Sequence, residues 1–208
     1  MNHVCILLHG IKCDPANRLW NEETEIRYQN STSIRLISRK YGYVSGISVW
    51  VNAFKRREVV DHEEAYFRGI PNVQDGLLSS LEPGTKVSIA GHSLGGYITT
   101  ALLKRGIQFY RIAHLWGSSV EGFDWGAVDK NFDRARVYWS PNDEILTASS
   151  IGAGEDPELG LGLMGKVGPQ VAHPRVESIE TDWTHTQFMD ATAEQDKFWR
   201  DIFGWMAE

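Results

Sequence analysis

At 208 residues the chain has room for one domain with a substantial core. Its 42% apolar and 23% charged residues are ordinary values for a soluble globular protein. The formal charge of −6 offers no electrostatic case for nucleic acid or an anionic membrane as partner. No stretch reaches the roughly 18 apolar residues of a membrane helix, and no basic start or cleavage pattern marks a signal peptide, so a cytoplasmic protein is expected. The two cysteines, Cys5 and Cys13, lack metal-ligand spacing and read as reduced thiols.

In chain order, Val4 to Leu8 is a continuous apolar run, as in a strand buried on both faces of a parallel sheet. It ends in His9-Gly10-Ile11, followed by residues 12–30, whose turn formers and charges around Trp20 read as a loop with room for one short helix. Ser31 to Tyr41 predicts a helix, with Ile34, Ile37 and Tyr41 on one side and Gly42 at its end. Tyr43 to Val51 predicts the second strand, residues 52–61 are charged and irregular, and Asp61 to Leu81 predicts a helix interrupted at Pro71.

Next comes the run Lys86-Val87-Ser88-Ile89-Ala90-Gly91-His92-Ser93-Leu94-Gly95-Gly96. Val87 to Ala90 predicts a buried strand and Tyr97 to Leu103 a helix, closed by Lys104, Arg105 and Gly106. Between them Gly91-x-Ser93-x-Gly95 is the nucleophile-elbow pattern. Roughly 0.1 such patterns arise by chance in a chain of this composition, so the flanking strand and helix carry the assignment. A serine at so sharp a turn takes a strained conformation, which its neighbours two positions away permit only if they are small.

Phe109 to Trp116, Ala135 to Ser140 and Val176 to Thr181 predict three more strands, and residues 144–174 one long loop, a candidate lid. Thr192 with Gln195 predicts a capping box opening the last helix, whose stripe is Phe198, Ile202 and Met206, extended by Trp199 and Phe203. Strands alternating with helices predict an α/β fold: a helix-covered, mostly parallel six-stranded sheet with its site beyond the strands' carboxyl ends.

A serine nucleophile needs a base, and the base an orienting acid. Of seven histidines, His185 follows the last strand at its carboxyl end, whereas His173 precedes that strand; His92 is expected to point away from Ser93. Asp143 directly follows the fifth strand, with Asp124 as its rival and Glu144 as a neighbour. The order Ser93, Asp143, His185 matches one chain order of a hydrolase triad.

Leu8-His9-Gly10-Ile11, Gly91 to Gly96, Asp143-Glu144-Ile145 and Thr184-His185 together resemble the α/β-hydrolase superfamily, more narrowly its small lipase- and esterase-like members. The resemblance implies strand order 2-1-3-4-5-6 and a single domain over residues 1–208. It implies an oxyanion hole from the backbone amides of Leu94 and Ile11, no cofactor and no metal. Residues 118–134 leave no room for a large cap domain. The activity implied is hydrolysis of a small-molecule or lipid-like carboxylic ester by a serine esterase. Acyl transfer, cofactor-free lyase or peroxidase chemistry and a non-catalytic binding protein share the fold. Trp116, Trp183, Leu163 and Met164 are candidates for an acyl pocket.

Overall fold

The computed structural model describes residues 2–10, 20–39, 53–69, 81–146 and 161–208. Strand β1 (His3–Leu8) is buried from Val4 to Leu8: Val4, Ile6 and Leu8 face one apolar cluster, Cys5 and Leu7 the other. That is why its apolar run does not alternate with polar residues. It lies between β2 (Arg35–Arg39) and β3 (Lys86–His92), followed outward by β4 (Phe109–Leu115), β6 (Phe132–Trp139) and β8 (Val176–Glu180), all parallel. The order β2-β1-β3-β4-β6-β8 is the predicted topology. Ser119–Val120 (β5) pairs antiparallel with Leu161–Gly162 (β7) beside this sheet.

The second strand is not the predicted one. Arg35–Arg39, read from sequence as helix, pairs along β1 from Val4↔Arg35 to Leu8↔Arg39. Ile34 and Ile37 fit a helical stripe, while Ile34 and Leu36 fit one face of a strand. The open edge of β1 decides between them, burying Ile34 and Leu36 while Arg35 stays exposed. The predicted strand Tyr43 to Val51 lies outside the described residues, as does most of the predicted helical piece after Pro71.

Helices cover both faces. On one, α2 (Ala53–Arg68) and α3 (Leu94–Lys104) pack Val60, Phe67, Ile98 and Leu102 onto β1, β3 and β4. Residues 53–61, read as irregular, are thus helical. Glu63, fully buried, accepts two hydrogen bonds from Arg39, Nε to Oε2 and Nη2 to Oε1, each 3.0 Å, which locks α2 to the end of β2. On the other face lie α1 (Trp20–Tyr28), the predicted short helix, and α5 (Ala193–Ala207). Thr192 caps α5 through the Gln195 amide as predicted, and Trp199, Ile202, Phe203 and Met206 are buried. Cys5 is a free thiol against Met206, its pKa pushed up by burial.

The predicted long loop is partly ordered structure. Met164–Val167 forms one helical turn, α4, and Gly165 sits so close to Gly117 and Trp116 that a Cβ there would lie 2.5 Å from their backbone. No helix among the described residues is long and apolar enough to cross a membrane.

Candidate active site

Ser93 sits between β3 and α3 at φ 56°, ψ −119°, a conformation costly for any residue with a Cβ. Glycines make it sterically possible. A Cβ on Gly91 would fall 2.6 Å from Gly95 O, and one on Gly95 2.5 Å from Leu8 O. One on Gly10 would fall 2.7 Å from Ser93 Cβ and 3.1 Å from its Oγ. The turn is held by Ser93 O, which accepts from Gly96 N at 3.0 Å and Ser118 N at 3.1 Å.

Asp143 follows β6 in a tight turn, its N–H donating to Ser140 O at 3.1 Å. Ser140 N is in turn fixed on Gly165 O, and Lys166 Nζ donates to the Asp143 carbonyl, so α4 supports the turn. The Asp143 carboxylate accepts from Leu146 N at Oδ1 (3.0 Å) and from His185 Nδ1 at Oδ2 (2.7 Å). Asp143 is 0% exposed and His185 5%, so this charged contact is shielded from water. His185 belongs to the segment after β8, tied back by Thr181 N to Trp139 O (2.9 Å) and Asn142 Nδ2 to Asp182 O (3.3 Å).

The other candidates sit elsewhere in the fold. Asp124 is exposed and caps its own turn through Gly126 N. His173 lies at the amino end of β8, its ring 5.7 Å from Phe132 at the start of β6. His114 donates Nε2–H to Ser118 O at 3.0 Å, and burial pushes its pKa down to about 4. The Ile11 amide lies outside the described residues; Leu94 opens α3, where N–H groups lack intrahelical acceptors.

Trp116 is 0% exposed and Trp183 9%, and they stack on each other at 5.6 Å in the core under α5. Trp116 also stacks on Phe188 at 5.2 Å, so it grips both sides of the segment carrying His185. Among the described residues these aromatic rings pack against one another and against Phe188. His92, expected to point away from Ser93, reaches the segment that carries His185. Its ring lies 4.6 Å from that of His185, and its Nδ1 is 3.3 Å from the point where a Gly10 Cβ would lie. Sequence offered no signal for this, because the β3 pleat and the His185 segment meet only in the fold.

Leu163 and Met164 border an open cavity of about 720 Å³ that begins at Ser119, next to Ser118. The larger groove, about 910 Å³ around Lys86, Phe109 and Phe132, lies at the amino ends of β3, β4 and β6 and shares no residue with this site. Among the described residues no cluster of three or more His, Cys, Asp or Glu side chains is placed to hold a metal.

No protein-family model matches the sequence, and no curated protein matches it. Solved structures do. A proposed hydrolase of the alpha/beta superfamily from Xanthomonas campestris pv. campestris is 12% identical, with 100% of this chain and 99% of that one covered and a TM-score of 0.57. Alpha/beta hydrolase domain-containing protein 10 from mouse is 13% identical over 98% of this chain and 89% of its own, with a TM-score of 0.55. The esterase domain of a Rhodothermus marinus protein is 13% identical over 98% and 85%, with a TM-score of 0.52. The chain therefore has the α/β-hydrolase fold, with no large cap among the described residues.

Proposed function

We propose that this protein is a serine hydrolase that cleaves a carboxylic ester through an acyl-enzyme, with Ser93 as nucleophile, His185 as base and acid, and Asp143 as its orienter. The observation that carries the reading is the buried 2.7 Å contact from His185 Nδ1 to Asp143 Oδ2, at the sheet edge that also bears the strained Ser93. A carboxylate oxygen only accepts, so Nδ1 carries the proton and Nε2 keeps a lone pair for the serine hydroxyl.

In the first half-reaction Ser93 Oγ bonds to the ester carbonyl carbon while its proton passes to His185 Nε2. The developing oxyanion is held by the Leu94 amide and, by the resemblance, by that of Ile11. One such donor is worth about 2.7–4 kcal/mol in the transition state. The leaving alkoxide takes the proton from His185 and departs as an alcohol. Water then attacks the acyl-serine, gives its proton to His185, and the acid product leaves as Ser93 Oγ recovers the proton. These steps call on no metal or organic cofactor. Substrate is read as a small-molecule or lipid-like ester whose acyl part runs toward Leu163 and Met164, since their cavity starts two residues beyond Gly117.

A fluorophosphonate probe tests the nucleophile and a panel of nitrophenyl esters of rising acyl length tests the reaction. Labelling confined to Ser93, with ester turnover lost in Ser93→Ala, is expected. Labelling that persists in Ser93→Ala, or a folded wild type inert to every ester, overturns the reading.

A further inference from the structure

His92 adjoins Ser93 in the chain, yet its ring reaches across to the segment that carries His185. Its Nε2 lies 2.9 Å from the His185 carbonyl oxygen. A carbonyl oxygen only accepts, so the proton of this imidazole must sit on Nε2; the opposite tautomer would press two lone pairs together. Nδ1 is buried, has no hydrogen-bond partner and faces Gly10. Burial and the neighbouring imidazoles of His185, His9 and His114 hold the His92 pKa well below its ordinary value, so the ring is neutral and has a single N–H to give. Phe188 at 4.7 Å and the edge-on Trp20 at 6.1 Å fix the ring plane.

We infer that His92 is a positioning residue: its Nε2–H···O=C bond to His185 fixes the base's backbone against the nucleophile's own strand. The inference rests on the hydrolase reading above. Asp143 holds only the far side of the His185 ring, at Nδ1. The ties at Thr181 and Asp182 and the Trp116 stack on Trp183 and Phe188 hold neighbouring residues of the segment, not His185's own peptide. The bond from His92 holds that peptide at its carbonyl, and it does so from the residue bonded to Ser93, so nucleophile and base share one reference. An error of about 1 Å between reacting groups costs roughly 10²-fold in rate, which sets the size of the effect.

Two variants and two readouts test it. His92→Phe keeps an aromatic ring between Phe188 and Trp20 but has no donor. His92→Gln places an amide N–H at about the reach of Nε2. The expected result is a fall in kcat of roughly 10²-fold for His92→Phe with KM little changed, and recovery of most of that loss in His92→Gln. The second readout is the downfield proton resonance of His185 Nδ1–H, identified by its loss in His185→Gln. It should broaden or vanish in His92→Phe and persist in His92→Gln, whether or not the protein hydrolyses esters.

A folded His92→Phe protein with wild-type kcat, or an unchanged downfield proton in that variant, overturns the inference. So does a folded His92→Gln protein as slow as His92→Phe. If His92→Phe fails to fold, the His92→Gln arm decides by the same two readouts: kcat and downfield proton near wild type support the inference, and loss of either overturns it. A wild type inert to esters removes the hydrolase reading, and the resonance alone then judges the positioning role.

Discussion

Two residues other than glycine take positive φ among the described residues, and they end neighbouring strands: Ser93 (φ 56°) after β3 and Trp116 (φ 40°) after β4. The same kind of strain, of order 1–3 kcal/mol, is maintained in partly different ways. Glycines clear space at both turns: Gly10, Gly91 and Gly95 around Ser93, and Gly165 against the Trp116 backbone. Only Trp116 also has a clasp on its side chain, where Trp183 and Phe188 stack on the indole and its Nε1 donates to Thr181 Oγ1 at 3.0 Å. Strain therefore does not by itself mark a nucleophile. What separates the two turns is the buried Asp143–His185 pair at the first, and at the second an apolar clasp on the segment that delivers His185.

The comparison breaks most sharply in activity. Ser93→Gly should lower turnover roughly 10⁶-fold, the scale seen when a serine nucleophile is removed, yet leave stability unchanged or higher, since glycine adopts positive φ freely. Matched denaturation and ester assays measure both; a variant destabilised as much as it is inactivated would mean Ser93 serves the fold. Asp143→Asn comes second, with a loss on the order of 10⁴-fold while the protein still folds, because the imidazole is held in the wrong tautomer. Asp124→Asn is its control and should be nearly silent, given that Asp124 is exposed. A reversal of the two would move the acid to Asp124.

Trp116→Ala inverts the Ser93 result. It should cost about 3–5 kcal/mol of stability as a large buried ring is deleted, and lower kcat by loosening Trp183 and Phe188. Urea titration reads the first effect. Unchanged stability would show that the stack on the His185 segment is incidental.

The smallest effect is on acid stability. The folded-state pKa of His114 lies near 4 and the ordinary value is 6.5. Between these the unfolded chain binds the proton first, so stability is complete above about pH 6.5 and falls as pH drops toward 4. At about 1.4 kcal/mol per pKa unit, buried His114 accounts for about 3 kcal/mol, and His92 acts in the same direction. Urea midpoints between pH 7.5 and 4.5 should show that slope, flattened in His114→Gln. Equal slopes in both proteins would remove His114 from the account.

Much of this was legible along the chain because it depends on local chemistry. The elbow needs glycines at fixed offsets from Ser93, a parallel central strand needs an unbroken apolar run such as Val4 to Leu8, and a helix start needs a cap such as Thr192. Asp143 and His185 could be chosen because chain order and strand ends constrain where a base and its acid lie. Their contact depends on three turns closing together. The tertiary structure alone decided that Arg35–Arg39 is a strand, because Ile34 suits a helical stripe with Ile37 and a strand face with Leu36 until the edge of β1 offers backbone partners. It decided that Trp116 and Trp183 pack against each other, because an aromatic residue at a strand end is apolar whether it meets a substrate or another ring. It also decided the place of His92. A histidine's sequence says that it can donate one proton, but which carbonyl receives it is set by a segment 93 residues away.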